Sequence, residues 1–328
     1  MNMTTKIIGT GSALPEKVIT NEDLSRLVDT NDQWIQSRTG IRERRIVGEG
    51  ESTVTLGVEA GRRALENAQV GPEEIDLVLV ATSSGSFYFP NTACQIQGRL
   101  HMKNAVAMDV SAACSGFLFI LNIAHAYLQS GLYQRILLVG VDTLSRLIDW
   151  EDRSTCVLFG DGAGACVVER GETGLVDCVL HTDGEMGQVL SCQAASLATP
   201  AVEAAQTFPI YMDGQAVFKF AVKRVPESIL QLLGQNRMDT DSVQWYLLHQ
   251  ANRRILQSVA KRLHQPEEKF PVNLDRYGNT TAGTLPILLD EMNRDIVHYV
   301  LNACKGNQTA AAKKLGISRT TLWRYLNR

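Results

Sequence analysis

The sequence lacks any hydrophobic run long enough to cross a membrane, and its first residues lack the apolar core of a signal peptide. Its seven cysteines are irregularly spaced, with no CxxC pair to hold a metal or form a redox disulfide. These absences argue against a membrane protein and against a secreted domain held together by disulfides. We therefore expect a soluble protein in the reducing cytoplasm.

The sequence does contain the balance of a globular protein, with 45% hydrophobic and 20% charged residues. Its 328 residues suffice for two domains. The net charge of −3 is unevenly distributed, because residues 291–328 hold seven Lys and Arg against two acidic residues. That segment is +5, which leaves −8 for residues 1–290. A basic segment on an acidic body predicts two different kinds of partner.

A pattern of amphipathic helix, turn and apolar strand occurs twice, over residues 58–84 and again over residues 225–248. Each copy continues through a second helix and a second strand into a loop. Cys114 lies in the first loop and Asn279 in the second, so the two residues are expected to occupy matching positions. The pattern predicts α/β halves with sheets covered on both faces and functional side chains at strand ends. The predicted strands of the second half include residues 243–248 and 271–274.

Three residues at strand ends are candidates for chemistry. Cys114 precedes an apolar helical stretch and has the small neighbours Ala113 and Ser115, so a helix N-terminus would favour its thiolate. The plain alternative is an inert core cysteine. His249 follows a predicted strand, where a structural histidine is also common. Asn279 could be an ordinary turn residue.

The sequences around these three residues resemble a known family. Residues 109–117 (DVSAACSGF), 249–253 (HQANR) and 278–283 (GNTTAG) are similar to the Cys, His and Asn signatures of β-ketoacyl-acyl-carrier-protein (ACP) synthase III. The similarity runs in order over about residues 5–290 and includes residues 159–164 (FGDGAG) and 212–220 (MDGQAVFKF). The resemblance implies a place in the thiolase superfamily.

The resemblance implies an α/β fold in which two thiolase-like halves form a layered α/β/α/β/α body. The first half, with the nucleophilic cysteine, is expected over residues 1–172. The second, incomplete half is expected over residues 173–290, and a C-terminal helix-turn-helix over residues 291–328 replaces its last strands.

The resemblance also implies an acyltransferase reaction, the initiation of fatty-acid biosynthesis. Cys114 would accept the acyl group of an acetyl-CoA-like primer. His249 and Asn279 would hold the thioester carbonyl of malonyl-ACP and stabilise the enolate formed as carbon dioxide leaves. The carbanion would attack acyl-Cys114 and give a 3-ketoacyl-ACP. No cofactor is implied, since acyl-CoA and malonyl-ACP are substrates.

Other positions match the family's contacts with coenzyme A and with the acyl chain. Trp34, Arg38 and Arg153 would hold coenzyme A, the indole and guanidinium planes flanking adenine and the cations meeting phosphates. Each of them could equally be a surface residue that packs through its stem. Phe89 would line the acyl pocket across the interface of a homodimer.

Contacts with the carrier protein are expected on the helix that follows His249. Gln250, Arg253 and Arg254 lie at its start, and the arginines would attract an acidic carrier protein. The alternative for these cations is an ordinary solvated helix face.

The C-terminal segment breaks the duplicated pattern, because residues 291–328 read as helices where two more strands should follow. The segment resembles a Fis-type helix-turn-helix, with Gly316 in the turn, Ser318 as N-cap and residues 318–327 as the recognition helix. DNA is therefore a further expected partner, with a plain three-helix cap as the alternative. The side chains expected to face DNA are Arg319, Thr320, Thr321 and Arg324.

The replacement leaves three interpretations open. The first is an active or once-active condensing enzyme with an altered C-terminus. In the family the missing stretch is a Gly-rich strand-loop-strand that donates a backbone N–H to the oxyanion hole, and losing one such donor costs about a hundredfold or more in rate. The second is a DNA-binding regulator that senses acyl-CoA with a synthase-like body. The third is an inactive fusion product, joined near residue 290.

Overall fold

The computed structural model describes residues 3–194, 197–198, 200–201, 204 and 208–326, with only the backbone of Arg324. The first half of the chain forms a five-stranded sheet in the order β1-β7-β6-β4-β5, and β2 and β3 form a separate two-stranded antiparallel sheet. Its strands are β1 (Thr4–Ala13), β2 (Lys17–Thr20), β3 (Glu43–Ile46), β4 (Leu77–Ala81), β5 (Val106–Val110), β6 (Arg135–Asp142) and β7 (Gly162–Gly171). Its helices are α1 (Asn21–Leu24), α2 (Asp32–Thr39), α3 (Thr53–Ala68), α4 (Thr92–Arg99) and α5 (Gly116–Ser130).

Strand β4 shows why this sheet is covered on both faces. It is parallel to both β5 and β6, and all five of its side chains are buried. Because side chains alternate along a strand, Val78 and Val80 pack under α3 and α4, while Leu77, Leu79 and Ala81 pack under α5. An uninterrupted apolar run is what a strand buried on both faces requires. The prediction of a helix-covered sheet is confirmed for this half.

The second half contains helices but few strands. The pair β8 (Leu190–Ser191) and β9 (Tyr211–Met212) is only two residues long. The stacked rings of Tyr246 and Phe270, 4.8 Å apart, lie in the core between the second-half helices. The helices are α6 (Gly214–Gln235), α7 (Arg253–Arg262), α8 (Leu274–Tyr277) and α9 (Thr284–Ala303).

The predicted strands over residues 243–248 and 271–274 are wrong. Residues 243–248 belong to no ladder, and residue 274 begins α8. Tyr246 N–H donates a backbone hydrogen bond of 2.8 Å to Lys269 C=O, two residues before the second of these segments. In the first half β6 and β7 connect β1 to β4. The chain supplies helix where the second half would need their counterparts, so the described part of the second β layer contains no inner strands.

The C-terminal residues form the predicted three-helix unit. It consists of the end of α9 with α10 (Gln308–Leu315) and α11 (Arg319–Leu326). Gly316 adopts the left-handed conformation (φ 67°) that ends α10, and Ser318 Oγ accepts the Thr321 N–H, 3.0 Å away, at the start of α11. The Tyr325 hydroxyl donates to Asn67 of α3 across 2.9 Å. The unit is therefore packed against the first half.

Helix α9 joins the body to this unit. It begins five residues after Asn279 and runs through the predicted boundary at residues 290 and 291. Asp290 accepts hydrogen bonds from Thr10 (2.8 Å) and Ser12 (2.7 Å) of β1, which fixes α9 to the sheet. Residue 327, the predicted end of the recognition helix, lies outside the described residues. No helix in the described part has both the length and the hydrophobicity needed to cross a membrane.

Candidate active site

Cys114 lies at the start of α5, as predicted, in a 3-10 turn over Ala113–Ser115. Burial, and next the charge of Asp142, raise the pKa of its thiol from 9.0 to about 12. These effects outweigh the stabilisation of a thiolate that a helix N-terminus gives. In the free site burial and the charge of Asp142 therefore favour the protonated thiol over the thiolate.

The loops of the two halves match, but not at the residues predicted. Ala113 (φ 44°) and Thr281 (φ 48°) both adopt the left-handed conformation, each at the start of a 3-10 turn that leads directly into a helix. The counterpart of Cys114 is therefore Ala282. Asn279 lies three residues earlier, so its predicted equivalence with Cys114 is wrong by three positions.

His249 directly follows the segment 243–248. Both of its ring nitrogens are buried and make no hydrogen bond within the described residues. Burial lowers the pKa of the imidazole from 6.5 to about 4, partly offset by the nearby backbone of Thr281. A neutral imidazole keeps one N–H, which is suited to donate a hydrogen bond to a substrate oxygen.

Asn279 is held by its backbone and by one side-chain oxygen. Its N–H donates to Leu158 C=O (2.9 Å), and its C=O accepts from Gly160 N–H (3.1 Å). Its Oδ1 accepts from Thr281 N–H at 2.9 Å. The side-chain NH2 makes no hydrogen bond within the described part of the chain, so it remains a donor for a ligand.

Cys114, His249 and Asn279 line one cavity of about 1870 Å³. Ligand pockets usually measure about 300–1,000 Å³. The cavity also extends along α6, α7 and residues 181–194. The structure thus brings the three predicted residues to one site.

The residues predicted to hold coenzyme A meet at the rim of the same cavity. The guanidinium groups of Arg38 and Arg153 lie 5.0 and 4.8 Å from the centre of the Trp34 ring. Arg153 also donates to the Asp29 carbonyl across 2.7 Å. Such an arrangement combines a flat aromatic surface with two positive charges, as a nucleotide with phosphates requires.

The structure contradicts the prediction that Gln250 contacts a carrier protein. Its side chain is fully buried, and its Oε1 accepts from the N–H groups of Asn273 and Leu274, both at 3.0 Å. Gln250 therefore holds the start of α8 in place. Arg253 and Arg254 are exposed on α7, and Arg254 reaches the cavity.

The remaining predicted residues lie outside the cavity. Phe89 is 86% exposed, although its neighbours Phe87 and Tyr88 do line the cavity.

On α11 Arg319 and Thr320 are exposed. Thr321 contributes instead to the start of its helix, because its N–H and hydroxyl both bond to Ser318. The side chain of Arg324 lies outside the described residues.

Asp142, at the end of β6, is a site residue that the sequence reasoning missed. It is completely buried, burial raises the pKa of its carboxyl group, and its charge acts on the Cys114 thiol. An acidic residue directly after the apolar run of residues 136–141 was the available signal, because strand ends were the expected place for functional groups.

Gly140 allows the loop of the second half to rest on β6. A Cβ atom there would overlap the carbonyl oxygen of Ala282 and come within 2.9 Å of its carbonyl carbon. We expect Gly140→Ala to displace the loop that carries Asn279, lowering the free energy of unfolding by about 2–3 kcal/mol. Urea unfolding checks this, with Gly98→Ala as control because a Cβ at Gly98 meets no atom within 4 Å. Equal stabilities of the two variants would contradict the proposed contact.

The pKa of His249 predicts a specific acid sensitivity. In the unfolded chain His249 takes up a proton near pH 6.5, whereas the folded protein resists protonation down to about pH 4. The contribution of His249 to the free energy of unfolding is therefore at its full value above pH 6.5. It falls by about 3 kcal/mol in total as the pH drops from 6.5 to about 4. Thermal melts between pH 4 and 7 should show a steeper loss for the wild type than for His249→Gln. Parallel pH curves would contradict the neutral, buried imidazole.

Family models match the chain in three places. Residues 108–184 match 3-oxoacyl-[acyl-carrier-protein] synthase III, and residues 233–298 match the C-terminal part of the same family. Residues 289–328 match the bacterial regulatory protein, Fis family. The last two matches overlap inside α9, the helix that joins the body to the C-terminal unit.

Curated relatives are similar over most of their length. A β-ketoacyl-[acyl-carrier-protein] synthase III of Clostridium acetobutylicum is 45% identical over 292 residues, which cover 88% of this chain and 90% of the relative. One from Synechococcus sp. is 48% identical over 295 residues, covering 88% and 87%.

Solved structures show the same similarity. A 3-oxoacyl-[acyl-carrier-protein] synthase III from Aquifex aeolicus is 42% identical with a TM-score of 0.81, covering 89% of this chain and 91% of the other. A synthase III from Thermus thermophilus is 38% identical with a TM-score of 0.82, covering 88% and 90%. The thiolase-like α/β fold is confirmed.

Proposed function

Because the chain belongs to the β-ketoacyl-acyl-carrier-protein synthase III family, we propose that it condenses an acyl-CoA primer with malonyl-ACP through an acyl-Cys114 intermediate. The observation that carries the proposal is the single cavity lined by Cys114, His249 and Asn279. An acetyl-CoA-like primer is proposed, and no cofactor takes part, since the two thioesters supply the carbon atoms and the leaving groups.

The first half-reaction transfers the acyl group. The Sγ atom of Cys114 attacks the acyl-CoA carbonyl carbon, a new thioester bond forms, and the bond to the coenzyme A sulfur breaks. Because burial keeps Cys114 protonated, its proton must leave during the attack, and it ends on the departing coenzyme A thiol. Trp34 between its two arginines is the proposed nucleotide subsite.

The second half-reaction joins the carbon atoms. The neutral imidazole of His249 and the NH2 group of Asn279 donate hydrogen bonds to the thioester oxygen of malonyl-ACP. Negative charge develops on that oxygen as carbon dioxide leaves. The resulting carbanion attacks the acyl-Cys114 carbonyl carbon, and the Cys114 sulfur departs as a thiolate that takes up a proton from water. The product is a 3-ketoacyl-ACP.

The proposed partners and compartment follow from this chemistry. Arg253 and Arg254, near the cavity, would attract an acidic carrier protein and raise its rate of association. The exposed Phe89 would reach the acyl pocket of a second copy in a homodimer. A reducing cytoplasm suits a reaction that needs Cys114 as a free thiol, and all seven cysteines are free. We keep residues 1–172, 173–290 and 291–328 as the proposed units.

The test is a two-step assay with the purified protein. Radiolabelled acetyl-CoA should label the protein, and added malonyl-ACP should remove the label as 3-ketobutyryl-ACP, which mass spectrometry identifies. A protein that takes up no label and forms no product would overturn the proposal.

A second function, DNA binding, is favoured by the Fis-family match over residues 289–328. Residues 291–328 carry a net charge of +5, against −8 for the rest of the chain, and Arg319 and Thr320 are exposed at the start of α11. The proposed recognition helix would contact DNA through this end. Arg319 would be its first basic contact.

Fluorescence anisotropy with duplex DNA at 50 and 200 mM salt tests this second function. Binding should weaken about tenfold or more at the higher salt, and further in Arg319→Ala, because phosphate contacts release counterions. Arg26→Ala, an exposed arginine on the body, is the control. Binding that ignores both salt and Arg319 would contradict a DNA-binding role.

A further inference from the structure

Asp142 connects the two halves of the site through its two carboxylate oxygens. Its Oδ1 accepts three hydrogen bonds from the segment that follows β4. The donors are Ser83 N–H at 2.8 Å, Ser84 Oγ at 2.8 Å and Thr82 Oγ1 at 3.2 Å. Through Oδ1, Asp142 is therefore bound to residues of the first half of the molecule.

The other oxygen, Oδ2, accepts the backbone N–H of Ala282 at 3.3 Å. Ala282 lies in the middle of the turn that begins at Thr281, and the Thr281 N–H donates in turn to Asn279 Oδ1. Thr281 is held at a φ of 48°, a conformation that costs energy for a β-branched residue. Asp142 Oδ2 lies beneath this turn as a fixed acceptor and holds the turn in this conformation.

We propose that Asp142 is the positioning residue of the condensation step, holding the Asn279–Thr281 loop in its productive place through the Ala282 N–H. This inference rests on the proposed function, because the oriented group is the Asn279 amide that meets the malonyl thioester. Asp142 itself touches no substrate, since it is buried and does not line the cavity.

The geometry requires a carboxylate rather than an amide at this position. All four hydrogen bonds come from donors, so both oxygens must be acceptors. In Asp142→Asn the amide oxygen can satisfy the three donors on one side, but its NH2 group then faces the Ala282 N–H. Two donors repel each other, so the turn would be pushed away from β6.

The same residue acts on the nucleophile through its charge. The carboxylate raises the pKa of the Cys114 thiol, as burial does to a larger extent. Removing the charge should therefore make the thiol easier to deprotonate while the loop is displaced. A general loss of structure would not improve one half of the site while damaging the other.

The experiment compares Asp142→Asn with Thr82→Val, which removes the longest of the three bonds to Oδ1, together with the acceptor of the Ser84 N–H, and leaves the Ala282 bond intact. Three quantities are measured on the full chain. They are the pH profile of Cys114 alkylation by iodoacetamide, the rates of acyl transfer and condensation, and hydrogen exchange over residues 279–283.

For Asp142→Asn we expect alkylation to begin at lower pH and exchange over residues 279–283 to rise about tenfold or more. Acyl transfer should stay within about fivefold of wild type while condensation falls about a hundredfold. Thr82→Val should stay within about threefold of wild type in every measurement.

Unchanged exchange over residues 279–283, or condensation within about threefold of wild type, would overturn the inference. An equal loss in Thr82→Val would do the same, because it would assign the effect to the Oδ1 side. If Asp142→Asn does not melt cooperatively, Asp142→Ser takes its place, since it removes the Ala282 acceptor without creating the opposed donors. A wild type that never condenses defeats the proposed function, whereas exchange and alkylation still decide the role of Asp142.

Discussion

Cys114→Ala is expected to abolish both labelling by acetyl-CoA and condensation, with a fall in rate of about 10⁴-fold or more. Alanine keeps the small side chain that the start of α5 requires but has no sulfur to accept the acyl group. His249 and Asn279 could still bind the malonyl thioester, yet the carbanion formed from it would have no acyl-enzyme to attack. The measurement is the two-step assay with mass spectrometry of the labelled peptide.

Cys94→Ala is the matched control, because Cys94 is a free and exposed thiol outside the cavity. It should label and condense like the wild type. Label that persists in Cys114→Ala but disappears in Cys94→Ala would show that surface chemistry, not the proposed nucleophile, accepts the acyl group.

The sequence predicted the first half of the fold well because its signals are local and mutually consistent. The all-apolar stretch of β4 is typical of a strand covered on both faces, and Ser52 caps the helix α3 that covers it. Residues 243–248 carry a similar apolar pattern and fail to form a strand. The difference lies in the partners, since a strand exists only when neighbouring strands complete its hydrogen bonds.

Only the site residues that lie in recognisable sequence motifs could be predicted. Cys114, His249 and Asn279 were found from short residue patterns, and the fold brings them to one cavity. Gln250 belongs to the same pattern as His249, and only its burial shows that it holds α8 rather than a partner. Asp142 carries no motif at all, because its role depends on a turn that lies 140 residues away in the chain.

Replacing residues 295–328 with the corresponding segment of the Clostridium acetobutylicum relative is expected to raise condensation about a hundredfold or more. From the resemblance, that segment supplies two inner strands and a backbone N–H for the oxyanion hole. The junction after Arg294 preserves the bonds of Asp290 to Thr10 and Ser12, so α9 stays fixed to the sheet. Acyl transfer and condensation are measured separately, together with a thermal melt.

The melt should also rise, for a reason independent of catalysis. Residues 243–248 have no ladder in the present chain, and the cavity of about 1870 Å³ is much larger than a small acyl group needs. New strands would complete the hydrogen bonds of this segment and bury apolar side chains of α6 and α7. A chimera with a higher melting temperature but unchanged condensation would therefore separate the scaffold from the oxyanion donor.

A shortened chain that ends at residue 306 is the control for this exchange. It keeps α9, loses α10 and α11, and gains no strand, so its condensation rate should not exceed that of the full chain. If shortening alone raised condensation, the C-terminal unit itself would be inhibitory and the missing strands would not be the cause. If neither change raised it, condensation would depend on Cys114, His249 and the Asn279 loop that Asp142 positions, without a further oxyanion donor.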